Sequence, residues 1–291
     1  MKAVIFGISG QDGVYLKALC QKGQAEVIGV SRSDDAELVV GDVADFSFVE
    51  ALLREQRPDY VFHLAANSTT RHEALFENHK TISTGTLNIL EAVKRHCPGS
   101  RVFITGSGVQ FQNRGLPIAE TDPFEASSPY AVARIQSVYA ARYYRRLGIK
   151  AYVGYLFHHE SPLRKESHVC KLIADAAKNI RDGGCKRIRM GDVSVRKEVG
   201  FAGDIVEGIW TLVNQDALFE ATIGTGEAYS IEEWLAACFS RIGEDWRKHV
   251  DVSEEPFRIE YQTLVSNPAT INQLGWRPKV GLHALAEMML A

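Results

Sequence analysis

The N-terminal segment places an apolar strand, a glycine-rich loop and a helix directly after one another. The run KAVIFGI is apolar and β-branched, Gly7, Gly10 and Gly13 follow, and VYLKALCQKG has the apolar spacing of an amphipathic helix. This order brings backbone amides and a helix N-terminus together, which suits the pyrophosphate of a dinucleotide. Glycine at these places lets the backbone approach a ligand closely. The segment therefore predicts a dinucleotide-binding loop, and it constrains the fold around that loop.

Downstream, short β-branched runs alternate with longer helical patterns, as in a parallel sheet covered by helices. The pattern loosens after about residue 158. We predict an α/β fold, with a Rossmann-like doubly wound parallel sheet and a smaller, interleaved C-terminal substrate lobe. The sheet domain is expected to span residues 1–157 with a return segment at about 198–227, and the lobe to span 158–197 and 228–291. The predicted strands are KAVIFGI, EVIGVSR, YVFHLAA, RVFITGS, KAYVGYLF and a short one near FEATIGT.

Charge and composition argue against several classes of protein. A formal net charge of -3 over 291 residues is a poor match to a nucleic-acid-binding protein, which needs a strongly basic face. No apolar run approaches the roughly 20 residues of a membrane span. We expect no signal peptide at MKAVIFGISG, and hence a cytoplasmic protein. The five cysteines are far apart and odd in number, so they predict buried free thiols rather than disulfides or a metal site.

The residues after the second predicted strand bear on the choice of cofactor. An acidic residue here would bind the adenosine ribose of NAD, but this chain has Ser31, Arg32 and Ser33. A guanidinium flanked by hydroxyls suits a 2′-phosphate, so NADP is predicted. NAD stays the alternative, because Asp34 and Asp35 follow closely.

Motifs along almost the whole chain resemble the extended short-chain dehydrogenase/reductase family. Within it, they are most similar to the GDP-mannose 4,6-dehydratases and the related 4-keto-sugar reductases. The resemblance implies an NAD(P)-binding domain, a small lobe that binds a nucleotide-sugar, and chemistry at the sugar C4 carbon. The motifs that carry it are GISGQDGVYL, GDVAD, VFHLAAN, GTLNILEAV, ETDPFEASSPYAVAR, LFHHESP, GTGEAYSIEEW and LGWRPKVGLHAL.

The resemblance also implies roles for single residues. Ser107 takes the family's Ser/Thr position, whose hydroxyl bonds the substrate's C4 oxygen, and Tyr130 takes that of the catalytic tyrosine, which exchanges a proton with that oxygen. The cofactor-binding positions are Gly7, Gly10, Gln11, Asp12 and Gly13 at the pyrophosphate, Asp42 and Val43 at the adenine, Leu64, Ala65 and Ala66 along the cofactor, and Tyr130 and Arg134.

Independently of the family, Tyr130 and Arg134 form a plausible catalytic pair. A tyrosine titrates near pH 10, so it needs a nearby cation to act near neutral pH. The i to i+4 spacing puts both residues on one helix face. Pro129 fits the first turn of that helix, with Ser127 or Ser128 as its N-cap. We therefore expect Arg134 to act beside Tyr130, and the family resemblance implies that it also contacts the cofactor ribose.

Three positions depart from the family pattern. Arg134 stands where lysine is usual, and arginine is wider, planar and always charged. Val109 stands where the dehydratases carry the glutamate that removes the C5 proton, and valine cannot accept a proton. His158 stands where those enzymes have asparagine. Because reduction of a 4-keto group needs no such base, Val109 favours a reductase over a dehydratase.

The substrate-binding residues are less sharply indicated. Arg164 and Lys171 could bind a diphosphate, although each also suits a solvated surface position. Arg258 resembles the family's pyrophosphate-binding arginine, and His158 and Ser107 complete the predicted set. GDP is the expected nucleotide, but a different one stays open.

Three functions remain open at this stage. The leading one is an NADP-dependent reductase of a GDP-4-keto-6-deoxy sugar. The second is a dehydratase or epimerase that retains its cofactor, and the third is a cofactor-binding regulator that has lost catalysis. In the family the helix beginning near Tyr130 pairs across a two-fold axis, so a homodimer is expected.

Overall fold

The computed structural model describes residues 1–33, 38–185, 187–253 and 261–291. The strands are β1 Lys2–Phe6, β2 Glu26–Ser31, β3 Val39–Val40, β4 Tyr60–His63, β5 Arg101–Ser107, β6 Lys150–Leu156, β7 His159–Glu160, β8 Ile188–Met190, β9 Arg196–Glu198, β10 Gly200–Phe201, β11 Glu220–Ile223, β12 Ala228–Ser230, β13 Val250–Val252 and β14 Thr263–Leu264. The α-helices are α1 Gln11–Lys22, α2 Phe46–Gln56, α3 Leu75–Asn78, α4 Gly85–His96, α5 Pro129–Arg146, α6 Val169–Arg181, α7 Ala202–Val213, α8 Ile231–Ser240, α9 Ala269–Gln273 and α10 Leu282–Leu290.

A seven-stranded parallel sheet organises the chain. Its strand order is β11-β6-β5-β4-β1-β2-β3, with every neighbouring pair parallel. From β3 inward, the order 3-2-1-4-5-6 is that of doubly wound dinucleotide-binding folds, in which ligands bind at the carboxyl ends where the order reverses. The predicted α/β architecture is confirmed, including all six predicted strands. The reversal lies between β1 and β4, so the glycine loop after β1 opens into the expected crevice.

The period of two along each strand explains why both sheet faces are covered. In β1, Ala3 and Ile5 join the apolar core under α1 and α7, whereas Val4 and Phe6 join the core under α2, α4 and α5. Successive side chains of a strand point to opposite faces, so an unbroken apolar run fits a strand that is buried on both sides. The sheet is thereby fixed between two helical layers.

A third apolar core lies away from the sheet, among α6, α8 and α10. Trp234 is fully buried at this core, and its indole Nε1 donates to the Cys170 carbonyl at 3.1 Å. The later residues Ile271 and Trp276 pack instead on the sheet core that contains α7. The predicted domain boundaries stay a prediction, which this separate core supports.

Residues 75–96 form one helical run whose middle is not α-helical. A π-helical segment, His79–Thr84, joins α3 to α4. The carbonyl of Ile82 within it accepts hydrogen bonds from the hydroxyls of Thr86 and Ser137, at 2.7 and 3.2 Å. The same carbonyl also accepts from the Gly85 amide, so the two hydroxyls add to a backbone hydrogen bond within the helical run. None of the helices in the described part of the chain has the length and apolar character that a membrane span needs.

Glu198 joins the sheet domain to the C-terminal segment. Its carboxylate is almost fully buried and accepts from the backbone amides of Thr225, Gly226 and Ser266 at 2.5, 3.2 and 2.5 Å. These three bonds fix the turn after β11 against the chain after β14. The contact depends on one side chain and so can be tested directly.

We expect Glu198→Ala to lower the free energy of unfolding by about 3 kcal/mol or more, because three amides would lose their acceptor. Urea unfolding measures the change. The exposed neighbour Glu227 provides the matched control, and Glu227→Ala should stay within about 0.5 kcal/mol of the wild type. A Glu198 variant as stable as that control would contradict the assigned role.

Candidate active site

The glycine loop leaves no room for side chains. Gly7 has a φ of 90°, and a Cβ placed there would lie 2.6 Å from the Ala65 amide nitrogen. A Cβ at Gly13 would lie 2.5 Å from the carbonyl oxygens of Gly7 and Ile8. Gly10 directly precedes α1, and its amide donates to the Gly7 carbonyl at 3.1 Å. The predicted loop thus closes tightly against the start of α1, in a form that fits a pyrophosphate group.

Gln11 and Asp12 connect this loop to the chain after β6. The Gln11 amide donates to the His159 carbonyl at 3.2 Å and accepts from the Ser161 hydroxyl at 2.9 Å. The Asp12 carboxylate lies 2.9 Å from His159 Nε2, while His159 Nδ1 lies 2.6 Å from the Phe157 carbonyl. Both ring nitrogens face acceptors, so His159 is held as an imidazolium. We call these contacts the loop interlock.

The loop interlock shifts two pKa values in opposite directions. Burial disfavours both charges, but Asp12 raises the pKa of His159 above its ordinary value. Burial likewise works against the Asp12 carboxylate, yet His159 and Arg164 hold the pKa of Asp12 below its ordinary value. The pairing therefore favours the charged form of each group.

The predicted adenosine contacts lie after β2 and β3. The Ser9 and Ser31 hydroxyls are 3.1 Å apart, which ties the glycine loop to the end of β2. Arg32 is exposed and pairs with Glu77 at 2.6 Å. Asp42 pairs with Lys80 at 2.9 Å.

Val43 follows Asp42 and is buried in the sheet core. Its carbonyl accepts from the side-chain amide of Asn88 at 3.0 Å. Val43, which is predicted to contact adenine, therefore also supports α4 through Asn88. Asp34 and Asp35, which kept NAD open, lie outside the described residues.

The segment after β4 reaches the predicted tyrosine. The Leu64 amide donates to the Phe6 carbonyl at 2.9 Å, and Ala65 closes over Gly7. Ala66 packs against a small buried cluster of Ile82, Tyr130 and Ala133, as does Val109. Ala66 is predicted to bind cofactor, Tyr130 is predicted to transfer a proton, and Val109 stands where the dehydratases have their base. These three residues therefore meet at one place. We call this group the tyrosine cluster.

Ser107 ends β5 and is held by a buried glutamine. The Ser107 amide donates to Gln110 Oε1 at 2.8 Å, and Gln110 is fully buried. Pro129 begins α5, whose N-cap is Ser128: its hydroxyl accepts from the Ala131 amide at 3.1 Å. The predicted proline turn and cap are confirmed. The helix start orients Tyr130, which is 9% exposed, toward the cluster.

Arg134 is built into the protein interior. It is 2% exposed, its guanidinium donates to the Thr105 carbonyl at 2.5 Å, and its carbon Cζ lies 5.0 Å from the centre of the Tyr130 ring. Among the described residues, its buried Nε has no hydrogen-bond partner. The arginine thus holds β5 and the tyrosine ring together.

Two of the predicted substrate residues, His158 and Arg164, lie beside the loop interlock. His158 lies 3.2 Å from the Tyr261 hydroxyl, and burial, with the charges of Lys197 and Arg164, holds its pKa well below the ordinary value. Arg164 lies 3.4 Å from Glu160, and Lys171 pairs with Asp175 at 2.9 Å. Arg258 lies outside the described residues.

Sequence reasoning missed several buried polar residues at this site. Lys197 is 7% exposed and lies near His158, but its position on a three-residue strand gave no signal. Gln110 is fully buried and accepts from the Ser107 amide. His63 ends β4 inside the core, where polarity within an apolar run could have marked it. Among the described residues, no group of three or more His, Cys, Asp or Glu side chains is arranged to hold a metal ion.

The model of one protein family, described as GDP-mannose 4,6 dehydratase, matches residues 4–289. The chain belongs to the GDP-mannose 4,6-dehydratase family. The family resemblance predicted from the motifs is thereby confirmed. Membership makes this an enzyme of the nucleotide-sugar dehydratase and epimerase type, within the extended short-chain dehydrogenase/reductase class.

Individual relatives agree with this membership. GDP-mannose 4,6 dehydratase 1 of Arabidopsis thaliana is 32% identical over 99% of this chain and 88% of its own. The structure of UDP-glucose 4-epimerase of Thermus thermophilus, solved with NAD, aligns at a TM-score of 0.84 and 22% identity over 100% of this chain and 98% of that one. The structure of RMD from Pseudomonas aeruginosa, solved with NADPH, aligns at 0.84 and 21% identity over 99% and 97%. At 22% and 21% identity, these two structures support only the fold of this GDP-mannose 4,6-dehydratase family member.

Buried His63 should make the stability of this GDP-mannose 4,6-dehydratase family member depend on pH. Burial and the charge of Arg134 lower the pKa of His63 to about 4, whereas an unfolded histidine titrates near 6.5. The unfolded chain therefore takes up a proton first, and the free energy of unfolding falls as the pH drops from about 6.5 to about 4. Urea unfolding at pH 7 and pH 5 measures this loss.

His63→Gln isolates the contribution, since glutamine keeps a donor and does not titrate. The variant should lose about 2 kcal/mol less than the wild type between those two pH values. Equal losses in the two proteins would show that His63 is not responsible.

Arg134→Lys should lower the free energy of unfolding by about 2 kcal/mol, because the buried bond to Thr105 and the stacking on Tyr130 are lost. Thermal and urea unfolding test this. Arg146 is exposed on the same helix, so Arg146→Lys is the matched control and should change stability by less than about 0.5 kcal/mol. If both variants behave alike, the contacts of Arg134 do not stabilise the fold.

Proposed function

We propose that the protein is an NADP-dependent oxidoreductase that reduces the C4 keto group of a GDP-4-keto-6-deoxy sugar. The observation that carries the proposal is Val109, which packs with Tyr130 in the tyrosine cluster. Removal of a C5 proton needs a base at this position, and an alkyl side chain cannot accept one. Reduction uses only a hydride and a proton, so this site retains what reduction requires.

The main alternative is a GDP-mannose 4,6-dehydratase or an epimerase that retains its cofactor. Family membership and the name of the Arabidopsis relative favour it. Under this alternative a residue other than Val109 must act as the base. A cofactor-binding regulator without turnover is the third possibility. It is favoured by the departures from the family pattern at Val109, Arg134 and His158.

The glycine loop suits a nicotinamide dinucleotide, because Gly7 and Gly13 let the loop close tightly on Ala65 and on the start of α1. Gly7, Gly10, Gly13 and the segment of Ala65 and Ala66 would hold it. When bound, this cofactor supplies or accepts a hydride. Arg32 after β2 supports NADP over NAD, and the solved relatives include one with NAD and one with NADPH.

Tyr130, Ser107 and Arg134 are assigned the steps that the cofactor does not supply. Reduction of a carbonyl adds hydride to the carbon and a proton to the oxygen, and we assign the proton to the Tyr130 hydroxyl. The Ser107 hydroxyl positions that oxygen, on a backbone fixed by Gln110. Arg134 holds the Tyr130 ring and places its positive charge over the ring.

The diphosphate of the nucleotide-sugar is assigned to the basic residues beside the loop interlock. Arg164, Lys171 and His158 were predicted from the sequence, and Arg258 stays a prediction. Lys197 joins them because it is buried close to His158. GDP stays the expected nucleotide.

A homodimer through α5 is part of the proposal. Tyr139, Tyr143 and Leu147 are 59%, 58% and 43% exposed, and they recur every four residues along one face of α5 and its end. Such a row of exposed apolar surface suits a helix partner. A cytoplasmic location stays a prediction from the sequence.

Two incubations of the purified protein separate the three functions. With NADPH and a GDP-4-keto-6-deoxy sugar, we expect NADPH absorbance to fall. With GDP-mannose and catalytic NADP, we expect no 4-keto-6-deoxy product. Tyr130→Phe should lower kcat by roughly 10²–10⁴-fold, since the proton donor is lost.

Conversion of GDP-mannose without net NADPH oxidation would establish the dehydratase alternative and overturn the reductase. Tight NADPH binding without turnover in either incubation would favour the regulator. A Tyr130→Phe variant as active as the wild type would remove the tyrosine from the mechanism.

A further inference from the structure

Four charged side chains meet at the end of the crevice where the adenosine would bind. Arg32 follows β2, Asp42 follows β3, and Glu77 and Lys80 lie on α3 and the π-helical segment. Arg32 pairs with Glu77 at 2.6 Å, and Lys80 pairs with Asp42 at 2.9 Å. The pairs also influence each other, since Arg32 helps to lower the pKa of Asp42. We call these four side chains the charge quartet.

The charge quartet is electrically balanced. A 2′-phosphate entering beside Arg32 would meet two cations that are each already paired with a carboxylate. A phosphate binds firmly to a guanidinium through charge-assisted hydrogen bonds. It can form them here only by displacing the carboxylate that holds Arg32, and any carboxylate that stays nearby repels it.

The two carboxylates differ in how firmly they are held. Asp42 also accepts from the Ala44 amide at 2.9 Å, within its own turn. Among the described residues, the Glu77 carboxylate accepts from Arg32 and from the Thr81 hydroxyl, the latter at 3.3 Å, and from no backbone amide. Glu77 also lines a cleft of about 450 Å³ with Asn67 and Thr69, from the segment after β4. Glu77 is therefore the carboxylate that can move away.

We propose that Glu77 is a specificity-determining residue, whose carboxylate competes with the 2′-phosphate of the cofactor for Arg32. The proposal rests on the proposed use of NADP. Binding of the phosphorylated cofactor releases Glu77 toward the cleft and leaves Arg32 and Lys80 facing the phosphate. A cofactor without the 2′-phosphate leaves the Arg32 to Glu77 pair intact.

Adenosine 2′,5′-bisphosphate and AMP are the sharpest probes, because they differ by the one phosphate. Calorimetric titration of each into the full-length protein gives the affinity ratio directly, without turnover. Glu77→Gln should bind adenosine 2′,5′-bisphosphate roughly two- to fivefold more tightly, as removal of a competing exposed ion pair predicts. AMP affinity should not change.

Glu73→Gln is the matched control, since Glu73 lines the same cleft and the substitution removes the same charge. Its affinity ratio should equal that of the wild type. Arg32→Ala should lose the preference for adenosine 2′,5′-bisphosphate, and adding Glu77→Gln to it should restore nothing. Equal thermal unfolding of the variants shows that they fold alike.

The outcomes separate the two levels of the proposal. If the wild type binds both probes equally or binds neither, the proposed NADP preference fails, and the role of Glu77 fails with it. If the wild type prefers adenosine 2′,5′-bisphosphate and Glu77→Gln leaves the ratio unchanged, only the role of Glu77 is overturned. Weaker binding in Glu77→Gln also overturns it, because Glu77 would then orient Arg32 rather than compete for it.

Discussion

The largely buried ion pair of Asp12 and His159 holds the start of α1 against the chain after β6, and the site depends on this contact. Two opposite charges in the interior are stable only when they are paired and their remaining donors are satisfied. Here the Phe157 carbonyl satisfies the second ring nitrogen, while Gln11 binds the same segment through the His159 carbonyl and Ser161. The glycine loop after β1 and the chain leading from β6 into the lobe are therefore held in one arrangement.

The reacting centre is organised around the backbone of β5. Gln110 accepts from the Ser107 amide, and Arg134 donates to the Thr105 carbonyl two residues earlier. The arginine that replaces the usual lysine is therefore packed and bonded rather than loosely accommodated. Val109 is also integrated, since it packs against both the sheet core and the tyrosine cluster. The departures from the family pattern belong to a coherent interior.

Local patterns predicted the sheet and the glycine loop well, because period-two apolar runs and close backbone approach leave direct marks in a sequence. The N-cap at Ser127 or Ser128 was predictable because a serine followed by proline is a local signal for the start of a helix. Contacts between distant segments left no such mark: the loop interlock joins residues about 150 positions apart, and Lys197 gains its surroundings only through folding. The roles of Gln11 and Asp12 in holding the lobe were therefore hidden behind their family position beside the cofactor.

The π-helical segment changes the phase of the helix in which it lies. An α-helix repeats every 3.6 residues, and a wider turn rotates everything that follows relative to what came before. Ile89, Leu90 and Val93 on α4 can thus stay on the sheet core while α3 directs Glu77 toward the end of β2. One helical run therefore faces the sheet core through α4 and the end of β2 through α3.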